Sequence, residues 1–261
     1  MVTTRTLELA TPDGPMAVFE ALPEKAGDGG AGGGEGGVAG GTGQGRGAVI
    51  VVQEAFGVNG HIEDVTRRFA AAGYQAVAPH LFHRTGDPVL GYEDFGAVMP
   101  HVTALSDGGI LGDLGAVLDQ LAGQGWSREA VGVVGFCMGG RVAFLAAVRL
   151  ALGAAVTFYG SGIFRERTPT MPALIGGIPE MRTPWLGLYG DADRGIPVEE
   201  VEELREALGE GAGVPWEIVR YPGAEHGFHC DVRDSYAPVA AADGWGRTLA
   251  WLDAHLETRP H

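Results

Sequence analysis

Cys137 stands between glycines in Gly135-Phe136-Cys137-Met138-Gly139. This is a G-x-Nuc-x-G pattern with cysteine where many hydrolases carry serine. A nucleophile at a sharp strand-to-helix turn needs a strained backbone and close neighbours that lack side chains. A helix starting at Met138 points its positive end at the sulfur, which favours thiolate, and leaves the Met138 N–H free for a developing oxyanion. The competing reading is a small buried hydrophobe, a common fate of free cysteine. Downstream, Asp191 and Asp193 lie in "LYGDADRGIP" and His226 in "YPGAEHGFHC", each after an apolar run. Alone, either aspartate could be a loop or capping residue, and the histidine a solvated one. Together, nucleophile, acid and histidine follow the chain order of an α/β-hydrolase triad, each past a predicted strand.

Such residues need a rigid sheet behind them. "RTLELATPDGPMAVFEALP" predicts two short strands around Pro12-Asp13-Gly14. "AVIVVQ" is a continuous apolar run, as expected of a strand buried on both faces. "YQAVAP", "AVGVVGF", "AAVTFYG", "WLGLYG" and "WEIVRYP" predict five more strands. Helices are expected over 61–72, 111–121, from Met138 onward, 198–208 and 239–256. The alternation implies an α/β fold with a mainly parallel sheet and helices on both faces, its active residues at the carboxyl ends of strands. From Gly27 to Gly47, 13 of 21 residues are glycine. Ordering such a segment costs backbone entropy and buries almost nothing, so a flexible surface loop is expected at about 26–47 within a single domain, 1–261.

Four stretches carry a family resemblance: "VVQEAFGVNGHIEDVTRRFAAAGYQAVAPHLFHR", "GVVGFCMGGRVAFLAA", "YGDADRGIP" and "YPGAEHGFHC". On these the chain resembles the dienelactone hydrolases (carboxymethylenebutenolidases), of the α/β-hydrolase superfamily, from about Ala48 to Leu256. The resemblance implies a Cys-His-Asp triad of Cys137, His226 and Asp193, since the family's acid lies four residues before the proline. It implies that Glu54 helps activate the thiol, that the backbone N–H groups of Ala55 and Met138 hold the oxyanion, and that Arg84 binds a substrate carboxylate. Read from residues alone, Glu54 is also open to pairing with an arginine or a helix end, and Arg84 to a surface salt bridge. The chain departs from the pattern four residues after His226, where a second arginine is replaced by Cys230; the nearest arginine is Arg233.

The reaction implied is hydrolysis of a small lactone or ester, with no metal or organic cofactor. His80, His83, His226, His229 and Cys230 match no recognised metal spacing. A net charge of −15 argues against nucleic acid or an anionic membrane as partner. No apolar run approaches the roughly 20 residues of a spanning helix, and no signal peptide is expected, so a cytoplasmic protein, a monomer or small homo-oligomer, is expected. The alternatives are a broader carboxylesterase, or a thiol redox protein using Cys137 and Cys230. The pocket lining is expected from loops at 84–101 and 161–182.

Overall fold

The computed structural model describes residues 2–24, 46–166 and 168–258. The glycine-rich stretch expected at 26–47 lies outside the described residues except for Arg46 and Gly47. An eight-stranded sheet runs in the order β1-β2-β4-β3-β5-β6-β7-β8. β1 (Thr3–Thr11) and β2 (Gly14–Leu22) form an antiparallel hairpin whose two-residue loop is Pro12-Asp13. β2 pairs antiparallel with β4 (Gln75–Pro79). From β4 onward every pairing is parallel, through β3 (Ala48–Val52), β5 (Val131–Phe136), β6 (Ala154–Phe158), β7 (Trp185–Gly190) and β8 (Trp216–Tyr221).

The chemistry of these strands explains their place. β3 to β7 are buried at every residue, so apolar runs without alternation form the middle of the sheet. The helices are α1 (Gly60–Ala71), α2 (Phe95–Thr103), α3 (Asp107–Gly123), α4 (Met138–Arg149), α5 (Val198–Gly211) and α6 (Pro238–His255). The chain steps one way from β3 to β4 and the other way from β4 to β5. Right-handed crossovers therefore put α1 and α3 on opposite faces. α6 joins α1 through Phe69 against Trp245, 4.6 Å between ring centres. α2 was not expected: the 84–101 stretch read as loop. Phe95, Val98, Met99 and Val102 recur at helical spacing, but Gly96 and Pro100 interrupt them, so the stretch reads as loop.

The reversal between β3 and β5 opens a crevice at their carboxyl ends, the usual place for a ligand in such sheets. Val52 pairs with Gly135 across these strands. Two residues further on each strand come Glu54 and Cys137. Strand register thus delivers a carboxyl and a thiol from positions far apart in sequence to one end of the sheet. No helix among the described residues is long and apolar enough to cross a membrane.

Candidate active site

Cys137 caps the start of α4 with φ 53° and ψ −116°, a left-handed backbone that non-glycine residues seldom adopt. Two glycines make the turn possible. A Cβ on Gly135 would lie 1.8 Å from the Gly139 carbonyl oxygen, and one on Gly139 would lie 2.4 Å from that of Val52. Neither position has room for a side chain. The tight approach at Gly139 also brings the exit of β3 against the start of α4. Cys137 is partly exposed, and Met138, first in the helix, has an N–H with no carbonyl a turn before it.

His226 and Asp193 arrive on the loops after β8 and β7. The His226 Nδ1–H donates to Asp193 Oδ2 at 2.6 Å, and the other carboxylate oxygen of Asp193 accepts from the Gly195 N–H at 2.8 Å. Asp191 is engaged elsewhere, accepting from Arg220 Nε at 2.7 Å. With Nδ1 on Asp193, the remaining ring nitrogen is the one left for Cys137, whose sulfur lies within hydrogen-bonding reach. Burial opposes charge on the ring, but the sulfur of Cys137 and the carboxylate of Asp193 outweigh it. The imidazole is pushed up to about 10. Three residues on, His229 is the reverse case: burial, with His61 and Arg68 nearby, pushes it down to about 3.

Glu54 is fully buried, and neither carboxyl oxygen has a hydrogen-bond partner. The nearest cation is Arg233, Nη1 to Oε1 3.7 Å, too long for a hydrogen bond. Burial raises the Glu54 carboxyl above its ordinary value, against the pull of Arg233 and His226. Its backbone is fixed by Gln53, whose amide donates to the Glu54 carbonyl at 3.3 Å while its oxygen accepts from the Leu81 N–H at 3.0 Å. Ala55 follows, partly buried. Arg233 lies over the rings of Tyr92 (5.0 Å) and Phe56 (5.9 Å). Cys137, His226, Arg233, Ser235, Ser161 and Arg194 share one open cleft of about 530 Å³.

Arg84 is a correction. It does not line this cleft. Its guanidinium grips Asp113 of α3 with two hydrogen bonds of 2.7 and 2.9 Å and donates to Asp13 at 2.7 Å. Donors so engaged are not available to a substrate carboxylate. The cleft holds two other cations, exposed Arg194 and, beside Glu54, Arg233, seven residues past His226. The nearness of Arg233 to His226 in sequence is the signal that marks it; Ser235 carried none beyond its place in a loop. Cys230 is a free, buried thiol that donates to the Tyr92 hydroxyl at 3.3 Å. His80 is bonded to Asp87 and His83 to Asp113, so the histidines considered for a metal are not gathered.

The sequence profile of the Dienelactone hydrolase family matches residues 35–256. A protein of Escherichia coli (strain K12) named "Putative carboxymethylenebutenolidase" is 42% identical over 208 residues, 78% of this chain and 75% of its own. A Bradyrhizobium protein named "Probable 2-oxo-3-(5-oxofuran-2-ylidene)propanoate lactonase" is 32% identical over 211 residues, 80% of this chain and 84% of its own. Among solved structures, a "Putative Dienelactone Hydrolase" from Klebsiella pneumoniae is 36% identical, covers 97% of this chain and 98% of its own, and superposes with a TM-score of 0.84. A sheet of this order, a glycine-flanked turn and matches of this extent have one common reading: the chain belongs to the dienelactone hydrolase family, hydrolases of ester and lactone bonds built on the α/β-hydrolase fold.

Proposed function

We propose that the protein opens a small lactone or ester by nucleophilic attack of Cys137, with His226 and Asp193 completing a triad. The observation that carries this reading is the His226 imidazole, bonded to Asp193 at 2.6 Å on one side and within reach of the Cys137 sulfur on the other. A ring pushed up to about 10 is charged at neutral pH and is the natural counter-ion of a sulfur anion. The sulfur attacks the carbonyl carbon, and the N–H groups of Met138 and Ala55 take the developing oxyanion. The carbon–oxygen bond breaks, and the imidazolium gives its proton to the departing oxygen. The neutral imidazole then takes a proton from water, which attacks the thioester and frees Cys137. Asp193 holds the ring's tautomer throughout.

Glu54 is a second proton acceptor for the thiol, kept poised by burial and by a cation that stands near without bonding it. Arg233, the cleft arginine beside Glu54, takes the role first assigned to Arg84, as the cation for an acidic group on the substrate. The Cys137→Ala variant tests the assignment. Turnover of lactones and of p-nitrophenyl esters is expected to fall about 10⁴-fold or more, as for the loss of other triad nucleophiles. Turnover within tenfold of the parent in a folded variant overturns it.

A further inference from the structure

Gln53 is the first residue past β3, and its side chain is entirely buried. It cannot touch a substrate, yet both ends of its amide are in use. The oxygen accepts from the N–H of Leu81, just past β4, at 3.0 Å. Only an oxygen can face that N–H, so the amide nitrogen is turned to the Glu54 carbonyl, to which it donates at 3.3 Å. The Glu54–Ala55 peptide unit is trans. In such a unit the C=O and the N–H share a plane and point opposite ways. A hydrogen bond on the Glu54 oxygen therefore sets the direction of the Ala55 N–H. Among the described residues no acceptor meets that N–H. It also lies near the start of α4. A Cβ on Gly139 would stand 2.4 Å from the Val52 carbonyl oxygen and 2.5 Å from that of Gln53, so the exit of β3 rests against the first turn of that helix. Ala55 comes two residues after the Gln53 contact, and Met138 one residue before Gly139.

We propose that Gln53 is a positioning residue: by holding the Glu54 carbonyl it aims the Ala55 N–H at the substrate oxygen that gains charge when Cys137 attacks. The inference rests on Cys137 being the nucleophile and on Ala55 and Met138 holding the oxyanion. Without the Gln53 bond the Glu54–Ala55 unit can turn about the line joining its two Cα atoms. Half a turn would present the carbonyl to the oxyanion, an oxygen against an oxygen where a hydrogen bond is needed. Gln53 makes and breaks no bond to substrate and exchanges no proton. What it supplies is preorganisation, a donor already in place before charge develops. The tie to Leu81 anchors this lock on a second strand exit, so the sheet and not the loop fixes the direction of the N–H.

The test is Gln53→Met, which keeps the length of the side chain and removes both hydrogen bonds. Two rates are measured on the same folded protein. One is turnover of a p-nitrophenyl ester, which passes through an oxyanion. The other is alkylation of Cys137 by iodoacetamide, which displaces iodide from a saturated carbon and forms no oxyanion. kcat is expected to fall about 10- to 100-fold with KM within about threefold; this is at or below the low end for deleting an oxyanion donor, because the donor is misaimed and not removed. Alkylation of Cys137 is expected to stay within about twofold. A merely structural tie between β3 and β4 would not split the two rates. Gln53→Glu keeps an acceptor for the Leu81 N–H and so guards the fold. As a carboxylate at pH 9 it has no proton for the Glu54 carbonyl, and the same split is expected of it. Equal losses in both rates, a rise in KM alone, or turnover within threefold of the parent in a folded variant overturns the role of Gln53. None of these outcomes touches Cys137, which stands or falls with its own alanine variant.

Discussion

Of the buried carboxyl groups that face arginines among the described residues, Asp113 and Glu54 are paired in opposite ways. Asp113 is fully buried, and Arg84 meets both of its oxygens at hydrogen-bonding distance, with His83 Nε2 adding a third contact at 3.2 Å. Glu54 is equally buried, yet Arg233 stops 3.7 Å away, and the Tyr92 hydroxyl that bears on the carboxyl does not reach it in good hydrogen-bond geometry. The first pair joins the exit of β4 to α3 and, through Asp13, to the β1–β2 hairpin. It is complete, so it serves as architecture. The second is incomplete behind the wall of a cleft that Arg233 and a thiol line. A protein tolerates an unsatisfied buried charge or acid only where something else completes it. Saturation of partners, more than residue type, separates the arginine that holds the fold from the one available to a substrate.

The comparison breaks most easily at Arg84. Arg84→Ala leaves the Asp113 carboxylate buried with one histidine for company. It is expected to cost about 3–5 kcal/mol of stability in urea denaturation, as for other one-sided losses of a buried pair. Activity per folded molecule is expected to stay within about threefold. A variant of parental stability with a selective rise in KM for carboxylate-bearing esters would return Arg84 to the substrate and dissolve the contrast. Arg233→Ala should do the opposite. Its lost contacts with the Tyr92 and Phe56 rings are worth about 1 kcal/mol. kcat/KM is expected to fall about 10- to 100-fold, since a charge-assisted contact to substrate is lost. Removing the cation also raises the Glu54 carboxyl further, so the acid limb of the kcat/KM profile should move to higher pH. An unmoved limb would separate Glu54 from the reaction.

The same contrast explains what could be read without coordinates. The apolar runs of β3 to β7 announced a buried parallel sheet because nothing else hides such surface on both sides. The turn at Cys137 was legible because its constraint is local: two glycines that admit no Cβ. The partner of Arg84 was not, because Asp113 lies 29 residues away and meets it only after α3 has packed. Glu54 beside Cys137 depends on the Val52–Gly135 register, which follows from strand order and not from either segment. The place of Arg233 after His226 could be read, but not its unbonded Nη1, because a sequence does not show which hydrogen bonds are unmade.

His226 and His229 sharpen the comparison within a single loop, with opposite signs in pH. The unfolded value of both is about 6.5. His226 is raised in the fold to about 10, so its contribution to stability is complete below about pH 6.5 and is lost as pH climbs toward 10. His229 is lowered to about 3, so the unfolded chain binds its proton first and stability is lost as pH falls from about 6.5 toward 3. Urea midpoints across this range are expected to decline on both sides. His229→Phe should flatten the acid side alone and His226→Gln the alkaline side alone. A variant that flattens the opposite arm would show that the two rings do not occupy the environments described.

The smallest expected effect is on two thiols. Cys137 is partly exposed in the cleft, whereas Cys230 is buried, bonded to Tyr92, and held by burial above its ordinary value. Iodoacetamide should therefore modify one cysteine per folded chain, mapping to Cys137, and should reach Cys230 only on unfolding. Asn59 steadies the same Tyr92 hydroxyl from α1's N-cap position at 3.0 Å, so Cys230 sits behind a bonded group at the inner side of the cleft. Tyr92→Phe removes the acceptor of the Cys230 thiol without opening a path to it, and should leave the second labelling event as slow as before. Labelling of Cys230 at a rate near that of Cys137 would mean that the segment carrying Tyr92 moves off Cys230 in solution. Peroxide followed by thiol mapping then decides whether the two sulfurs meet: a reversible Cys137–Cys230 bond formed in the folded protein would favour thiol redox chemistry over ester hydrolysis as the use of this cleft.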